Sequence, residues 1–385
     1  METASVHQEV VYAKTLDGWD LKLFHYLPRK DQISNYPVVL CHGLLANKNS
    51  CDFGEMGTPE WRQYSLAAFL LEETQDGGPV FDVWVPELRG CGCPTLDPGK
   101  HPERYRWDLD DFVDYDVPAI IGRVQQWYTE RKRPAPPVFW VGKSMGGMIA
   151  YAYGETPAGQ RNLKGVVTLG SPVVFGKSNV LLEFLTRVSP RRVSLPLRIR
   201  EIVARSAEVS NHFKGLGINP SNIDPEVFRM YLKVGLCETY SSKVLSQFSI
   251  FIKHSNFCRY PRYPWMYDLF GRIPGIKHLV APYSYKDHLR EFVTPLLAIA
   301  GGHDKLGPTQ DVRYAVEHVG SSDVTYLEFS KEAGYRDDYG HLDLNLGLHA
   351  REDVYPAVQA WLRKRSDVQR PRDDGARKKG EKREI

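Results

Sequence analysis

The stretch VFWVGKSMGGM, residues 138–148, places a lysine and a serine behind a run of β-branched and aromatic residues. Two kinds of chemistry put Gly-x-Ser after a strand. A phosphate-cradling loop needs a glycine five residues before its Gly-Lys-Ser, and Pro137 stands there instead. The other chemistry is a nucleophile elbow, G-x-S-x-G, and Gly142, Ser144 and Gly146 fill its positions. The serine of an elbow sits at the apex of a strained strand-to-helix turn. A side chain two residues to either side would clash there, hence the two glycines. The first amides of the following helix then face the oxygen of an attacked carbonyl, with Met145 as the first donor. Lys143 is expected to point to the surface from this turn, with pairing to an acidic neighbour that would steady the elbow as the alternative.

A serine hydroxyl is a weak nucleophile at neutral pH and needs a base, which in turn needs an orienting acid. With an elbow serine the chain order is Ser, acid, His. Asp304, in GGHDKLGP at the end of the apolar run 295–302, is the expected acid. His341, in DDYGHLDLNLG between the run 324–330 and the last helical pattern, is the expected base. Taken singly, a loop aspartate is usually a cap and a lone histidine usually structural; their places in the order set these two apart. Asp337, Asp338, His303 and His349 compete, but none combines the right strand with the right place in that order. The second oxyanion donor is expected from the Leu44 amide, in VVLCHGLLANKNS after the first central strand. His42, beside that strand, reads as a structural hydrogen-bonding residue.

The elements that would position these groups follow from the apolar pattern. Short apolar runs at 37–43, 81–88, 137–142, 165–172, 295–302 and 324–330 read as buried parallel strands. Helical patterns at 60–73, 109–131, 145–155, 309–319 and 351–365 lie between and after them, and Pro118 predicts a break in the second. Asp17-Gly18 marks an N-terminal β-hairpin. This alternation predicts an α/β fold, a mostly parallel central sheet with helices on both faces. From Val173 to Arg290 no clear buried strand appears, and the segment reads as an inserted, mainly helical cap. The expected organisation is a core over 1–172 and 291–365, a cap over 173–290 and a disordered basic tail over 366–385. Phe248, Phe251, Tyr263, Trp265 and Phe270 are the cap aromatics expected to shape an apolar substrate pocket.

Composition fits a soluble globular protein: 385 residues, 42% hydrophobic, net charge +3. The positive excess sits in the last 23 residues, with ten Lys/Arg against five Asp/Glu, so no nucleic-acid partner is expected. The tail reads as solvated, and an anionic membrane surface is the sharper reading of it. The N-terminus has no basic segment followed by an apolar run, and no transmembrane window occurs, so an intracellular, cytoplasmic setting is expected. The six cysteines are accordingly expected to be free thiols.

HGLLANKNS, FDVWVPELRGCG, the elbow, GGHDKLGP and YGHLDLNLGLHAREDVYPAVQAWL together resemble the α/β-hydrolase superfamily, most closely its acid lipase-like branch. The Arg89 stretch is also similar to polyester synthase and depolymerase relatives. The resemblance implies esterase or lipase chemistry on Ser144, Asp304 and His341 with no metal or organic cofactor. Its substrate would be a small-molecule or lipid ester. Two departures stand out: the export signal of acid lipases is missing, and Lys143 replaces their polar residue, often His, before the serine. The same triad would also serve acyl transfer or thioester hydrolysis. A hydrolase-like fold kept as a binding protein is the third reading.

Overall fold

The computed structural model describes residues 6–28, 36–72, 80–92, 96, 100–175, 196–205, 215, 217–271, 273 and 276–366. The expected tail, apart from Ser366, lies outside them. In chain order the principal elements begin with β1 (His7–Lys14), β2 (Asp20–Leu27), β3 (Val38–Cys41), α1 (Pro59–Tyr64), α2 (Leu66–Leu70) and β4 (Val83–Pro86). Next come α3 (Leu109–Asp111), α4 (Val117–Glu130), β5 (Val138–Lys143), α5 (Met145–Gly154), α6 (Pro157–Asn162) and β6 (Leu163–Leu169). Between β6 and β9 lie β7 (Pro196–Arg198), α7 (Ile199–Arg205), α8 (Pro225–Val234), β8 (Thr239–Ser241), α9 (Ser242–His254), α10 (Pro264–Phe270) and α11 (Lys277–Val280). The chain then returns through β9 (Leu296–Gly301), α12 (Thr309–His318), β10 (Val324–Phe329), α13 (Asp343–Leu346) and α14 (Ala350–Lys364).

One sheet carries the architecture, in the order β1-β2-β4-β3-β5-β6-β9-β10. The hairpin β1–β2 and the β2–β4 pair are antiparallel; every pair from β4 to β10 is parallel. This is the α/β-hydrolase fold. Period-two alternation divides the buried side chains between the two faces. Val39, Trp84 and Trp140 join the core under α4 and α5, while Leu40, Val85, Phe139 and Val141 join the core under α2 and α14. The parallel strands are apolar on both faces because helices cover both. The order reverses at β3, with β4 on one side and β5 on the other, and in such sheets the crevice beyond the strand ends at this switch is where ligands bind.

Several details differ from the sequence reading. The expected helix over 60–73 is two helices, because Ser65 leaves the first and caps the second by accepting from the Ala68 amide. The expected break at Pro118 takes the form of a wide π-type turn, Phe112–Asp116, with Pro118 in the first turn of α4, where its missing N–H costs nothing. The stretch 173–290 does contain strands: β7 and β8 form a separate antiparallel pair, and at three residues each they are too short to leave a pattern. The cysteines are not all free. Cys91 and Cys237, 146 residues apart in sequence, are joined by a disulfide. Cys41, Cys51 and Cys258 are buried thiols, and Cys93 lies outside the described residues. No helix among the described residues is long and apolar enough to cross a membrane.

Candidate active site

Ser144 stands between the last residue of β5 and the first of α5, with φ 53° and ψ −118°. A non-glycine residue there is strained and is held by its surroundings. The Ser144 amide donates to Leu169 of β6 at 2.9 Å, and its carbonyl accepts from Gly147 and Met148. A Cβ on Gly146 would lie 2.5 Å from the Cys41 carbonyl oxygen, and one on Gly142 would lie 2.3 Å from the Gly147 amide. The two glycines are therefore required by backbone packing. Met145 opens α5, so its amide has no acceptor within the helix.

The loop after β3 packs on this turn. A Cβ on Gly43 would meet Ser144 Cβ at 3.0 Å, which leaves Leu44 next to the serine. Leu45 holds a left-handed backbone at φ 60°. Residues far along the chain fix this loop: Cys237 donates to the Leu45 carbonyl at 2.8 Å, Asn47 donates to Gly235, and Ala46 bridges to Leu236. No local sequence signal announces that support. His42 is buried; its Nε2 accepts from the Leu88 amide at 3.1 Å and its Nδ1 donates to the Gly43 carbonyl at 3.0 Å. Burial pushes its pKa down to about 4, so it is a neutral structural residue that shapes the loop.

Asp304 lies three residues past β9, and His341 lies in the loop between β10 and α13. His341 Nδ1 and Asp304 Oδ2 are 2.7 Å apart, and both residues are buried. The carboxylate only accepts, so Nδ1 carries the proton and Nε2 keeps its lone pair. The other carboxylate oxygen accepts from the Leu306 and Gly307 amides, each at 2.8 Å, which locks the acid's orientation. Gly170, at φ 60°, passes so close to the pair that a Cβ there would be 2.7 Å from Asp304 Oδ2. Burial lowers the pKa of His341; the Asp304 charge opposes this and the Lys143 charge adds to it. Of the competing acids, Asp338 accepts from the Lys331 amide, and Asp337 lies 3.9 Å from both Lys331 and His349.

Lys143 corrects the sequence expectation. Its side chain is buried, and Nζ donates to the backbone carbonyl of His341. β5 and the His341 loop enclose it because β5 is covered on both faces up to its last residue. Burial pushes its pKa down to about 8 against the pull of Asp304 and Asp343. Asp343 was also missed. Its Oδ2 accepts from the Gly340 amide at 2.9 Å and the Asn219 amide at 2.8 Å, and so staples the loop that carries His341.

Ser144, His341, Lys143, Gly43 and Leu44 line one cavity of about 970 Å³, counted with its open mouth. Most of the remaining wall is apolar, including Met148, Phe175, Leu236, Phe248, Leu306 and Leu342. Of the expected pocket aromatics only Phe248 lines it. Phe251 is turned into the core against Phe175 and Phe257, Trp265 is 65% exposed, and Tyr263 and Phe270 do not reach the cavity. An aromatic-rich run does not reveal which way each ring faces. Among the described residues, His42, Glu87 and Cys91 bring three potential metal ligands within 4.8 Å. The Cys91 sulfur is committed to the disulfide and His42 Nε2 to the Leu88 amide, so packing accounts for the group.

Residues 36–211 match the family model described as the alpha/beta hydrolase fold. The chain is similar to triacylglycerol lipase 1 of Arabidopsis thaliana, 25% identical over 391 aligned positions that cover 91% of this chain and 86% of that protein. It is 32% identical to sterol esterase 2 of Saccharomyces cerevisiae over 121 residues, 29% of this chain, and the match spans only 20% of that protein's length. Among solved structures it superposes on a thermophilic esterase from Thermogutta terrifontis with a TM-score of 0.56, at 17% identity, covering 93% of this chain and all of that one.

Proposed function

We propose that the chain is a lipase-like carboxylic ester hydrolase of the α/β-hydrolase superfamily and that it works through an acyl-enzyme on Ser144. In this reading His341 Nε2 takes the proton as Ser144 Oγ attacks the ester carbonyl. Asp304 holds the ring in the right tautomer and stabilises the imidazolium. The Leu44 and Met145 amides receive the oxyanion. The tetrahedral intermediate collapses, the C–O bond to the alcohol breaks, and His341 returns the proton to the leaving alkoxide. Water, deprotonated by His341, then releases the acid and restores the serine. Lys143 and Asp343 are positioning residues, tying the histidine loop to the elbow and to itself.

The observation that carries this reading is the 2.7 Å His341–Asp304 contact at the wall of a cavity that Ser144 also lines. The lowered His341 pKa suits a base that must be neutral before it acts. The apolar wall favours an apolar acyl group, as in esters of fatty acids. A panel of chromogenic esters of increasing acyl length, run on the wild type and on Ser144→Ala, tests it. Turnover should rise with acyl length up to the depth of the cavity. It should fall by roughly 10⁴-fold or more in the variant. Wild-type turnover by Ser144→Ala refutes the acyl-enzyme, and an alcohol acceptor added to the assay separates hydrolysis from acyl transfer.

A further inference from the structure

Helix α10 shows its apolar side chains to solvent. Trp265 is 65% exposed and Leu269, one turn later on the same face, is 61% exposed. The ridge continues through Ile273 and Ile276 to Leu279 on α11, 41%, 40% and 74% exposed, and Tyr263 precedes it at 51%. Burial in the fold does not explain this. The opposite side of α10 does that work: Tyr267 is buried, stacks on His254 with ring centres 4.2 Å apart, and accepts from Asn256 at 3.1 Å. The helix is thus clamped by one face and holds the other outward. Nor does the site explain it, because none of these residues lines the cavity.

Charge selects what covers such a ridge. From Arg259 to Val280 the sequence has four Lys/Arg, of which Arg259 is paired with Asp114 at 2.7 Å, and one acid, Asp268. Asp268 is already paired with Lys253 at 2.7 Å and lies 3.0 Å from His254, and Arg262 is exposed beside Tyr263. A second copy would bring the same positive surface against itself. Protruding Trp, Tyr and Leu tips edged by cations suit the boundary between lipid headgroups and acyl chains instead. We propose that the α10–α11 ridge is a docking surface for anionic phospholipid bilayers. The ridge goes beyond the catalytic reading and does not depend on it.

The tryptophans make the test specific. Of the eight in the chain, the seven other than Trp265 are each 7% exposed or less, so a change in emission on binding reports Trp265. The full chain is sedimented with vesicles of phosphatidylcholine and with an equal mixture of phosphatidylcholine and phosphatidylserine, and its emission is recorded. Binding to the mixed vesicles with a blue shift, weakened by salt, is expected. Leu269→Glu and Leu279→Glu should each weaken it roughly tenfold or more, through lost apolar burial and added negative charge. The proposal is overturned if the wild type stays in the supernatant with mixed vesicles or if both variants bind as it does. It is also overturned if the blue shift appears without lipid and grows with protein concentration, which would make a second copy the occupant. Turnover of a water-soluble short-chain ester by the variants checks their fold. If even the wild type leaves that ester intact while binding vesicles, the catalytic reading fails and the docking surface stands.

Discussion

The Lys143 ammonium donates a hydrogen bond to the backbone carbonyl of His341, 198 residues further along the chain. The residue beside the proposed nucleophile thereby holds the loop that carries the proposed base. Its charge also lowers the His341 pKa, on top of the larger effect of burial. A histidine base works above its pKa. Removing the charge should let that pKa rise and move the acidic limb of kcat/KM to higher pH. Lys143→Met is expected to show this shift together with a lower kcat, and Lys143→Arg should restore the limb. Burial of Lys143 favours its neutral form, so the cost of burying the charge applies below about pH 8 and is relieved as pH rises from there towards the ordinary lysine value. Lys143→Met should therefore melt within a few degrees of the wild type at neutral pH. A purely structural lysine would instead leave the pH profile where it was.

Gly170 supplies a second test of the same constellation. Its φ of 60° is a left-handed backbone, and a Cβ there would sit 2.7 Å from Asp304 Oδ2 and 3.1 Å from His341 Nδ1. Gly170→Ala should wedge the acid from the base and cost about 1–2 kcal/mol in backbone strain. Misplacement of the ring should lower kcat by roughly 10²-fold while KM changes little. Steady-state kinetics beside a thermal melt separate the two effects. Wild-type kcat in a folded Gly170→Ala protein would remove Asp304 from the proposed mechanism.

What was legible in the sequence was what the chain encodes locally or by order. Gly142, Ser144 and Gly146 announce the turn because backbone atoms of β3 and α5 leave no room for a Cβ at either glycine. The parallel strands are apolar on both faces, so each appears as a continuous run. Asp304 and His341 could be picked out by chain order, although neither carries a local signature. What stayed hidden depends on partners distant in sequence. A lysine between Gly142 and Ser144 reads as exposed until the His341 carbonyl is placed against it. The hold of Gly235, Leu236 and Cys237 on the loop after β3 is made mostly by backbone atoms, beside the Asn47 side chain that donates to the Leu236 carbonyl, and leaves little trace in residue type. Trp265 and Phe251 look alike in a list of aromatics, yet one faces solvent and the other the core.

The Cys91–Cys237 bond joins the loop after β4 to the segment that braces Leu45 and Asn47. Closing a loop of 146 residues restricts the unfolded chain strongly, so loss of the bond should lower stability by about 2–4 kcal/mol. Titration of thiols in denaturant should find two fewer without reductant than with it. Cys91→Ser should melt earlier than the wild type, and reductant should then have little further effect on its melting. Equal thiol counts with and without reductant would show that the bond does not form.

Arg89 is buried between two acids, with its guanidinium 2.6 Å from Asp116 and 2.7 Å from Asp17. Asp116 is fully buried and also accepts from the Arg89 amide at 3.0 Å. The arrangement ties the N-terminal hairpin to the loop after β4 and to the turn before α4. A buried ion pair adds little net stability over a well-packed apolar pair, but breaking it leaves a charge without compensation. Arg89→Met should therefore cost about 3–5 kcal/mol, because Asp116 would be left buried and alone. Adding Asp116→Leu to Arg89→Met should recover much of that loss, since the stranded carboxylate is then gone. Chemical denaturation of the wild type, the single variant and the double variant measures both steps. A double variant no more stable than the single one would show that Arg89 acts through its guanidinium over the Trp19 and Tyr115 rings rather than through compensation of the Asp116 charge.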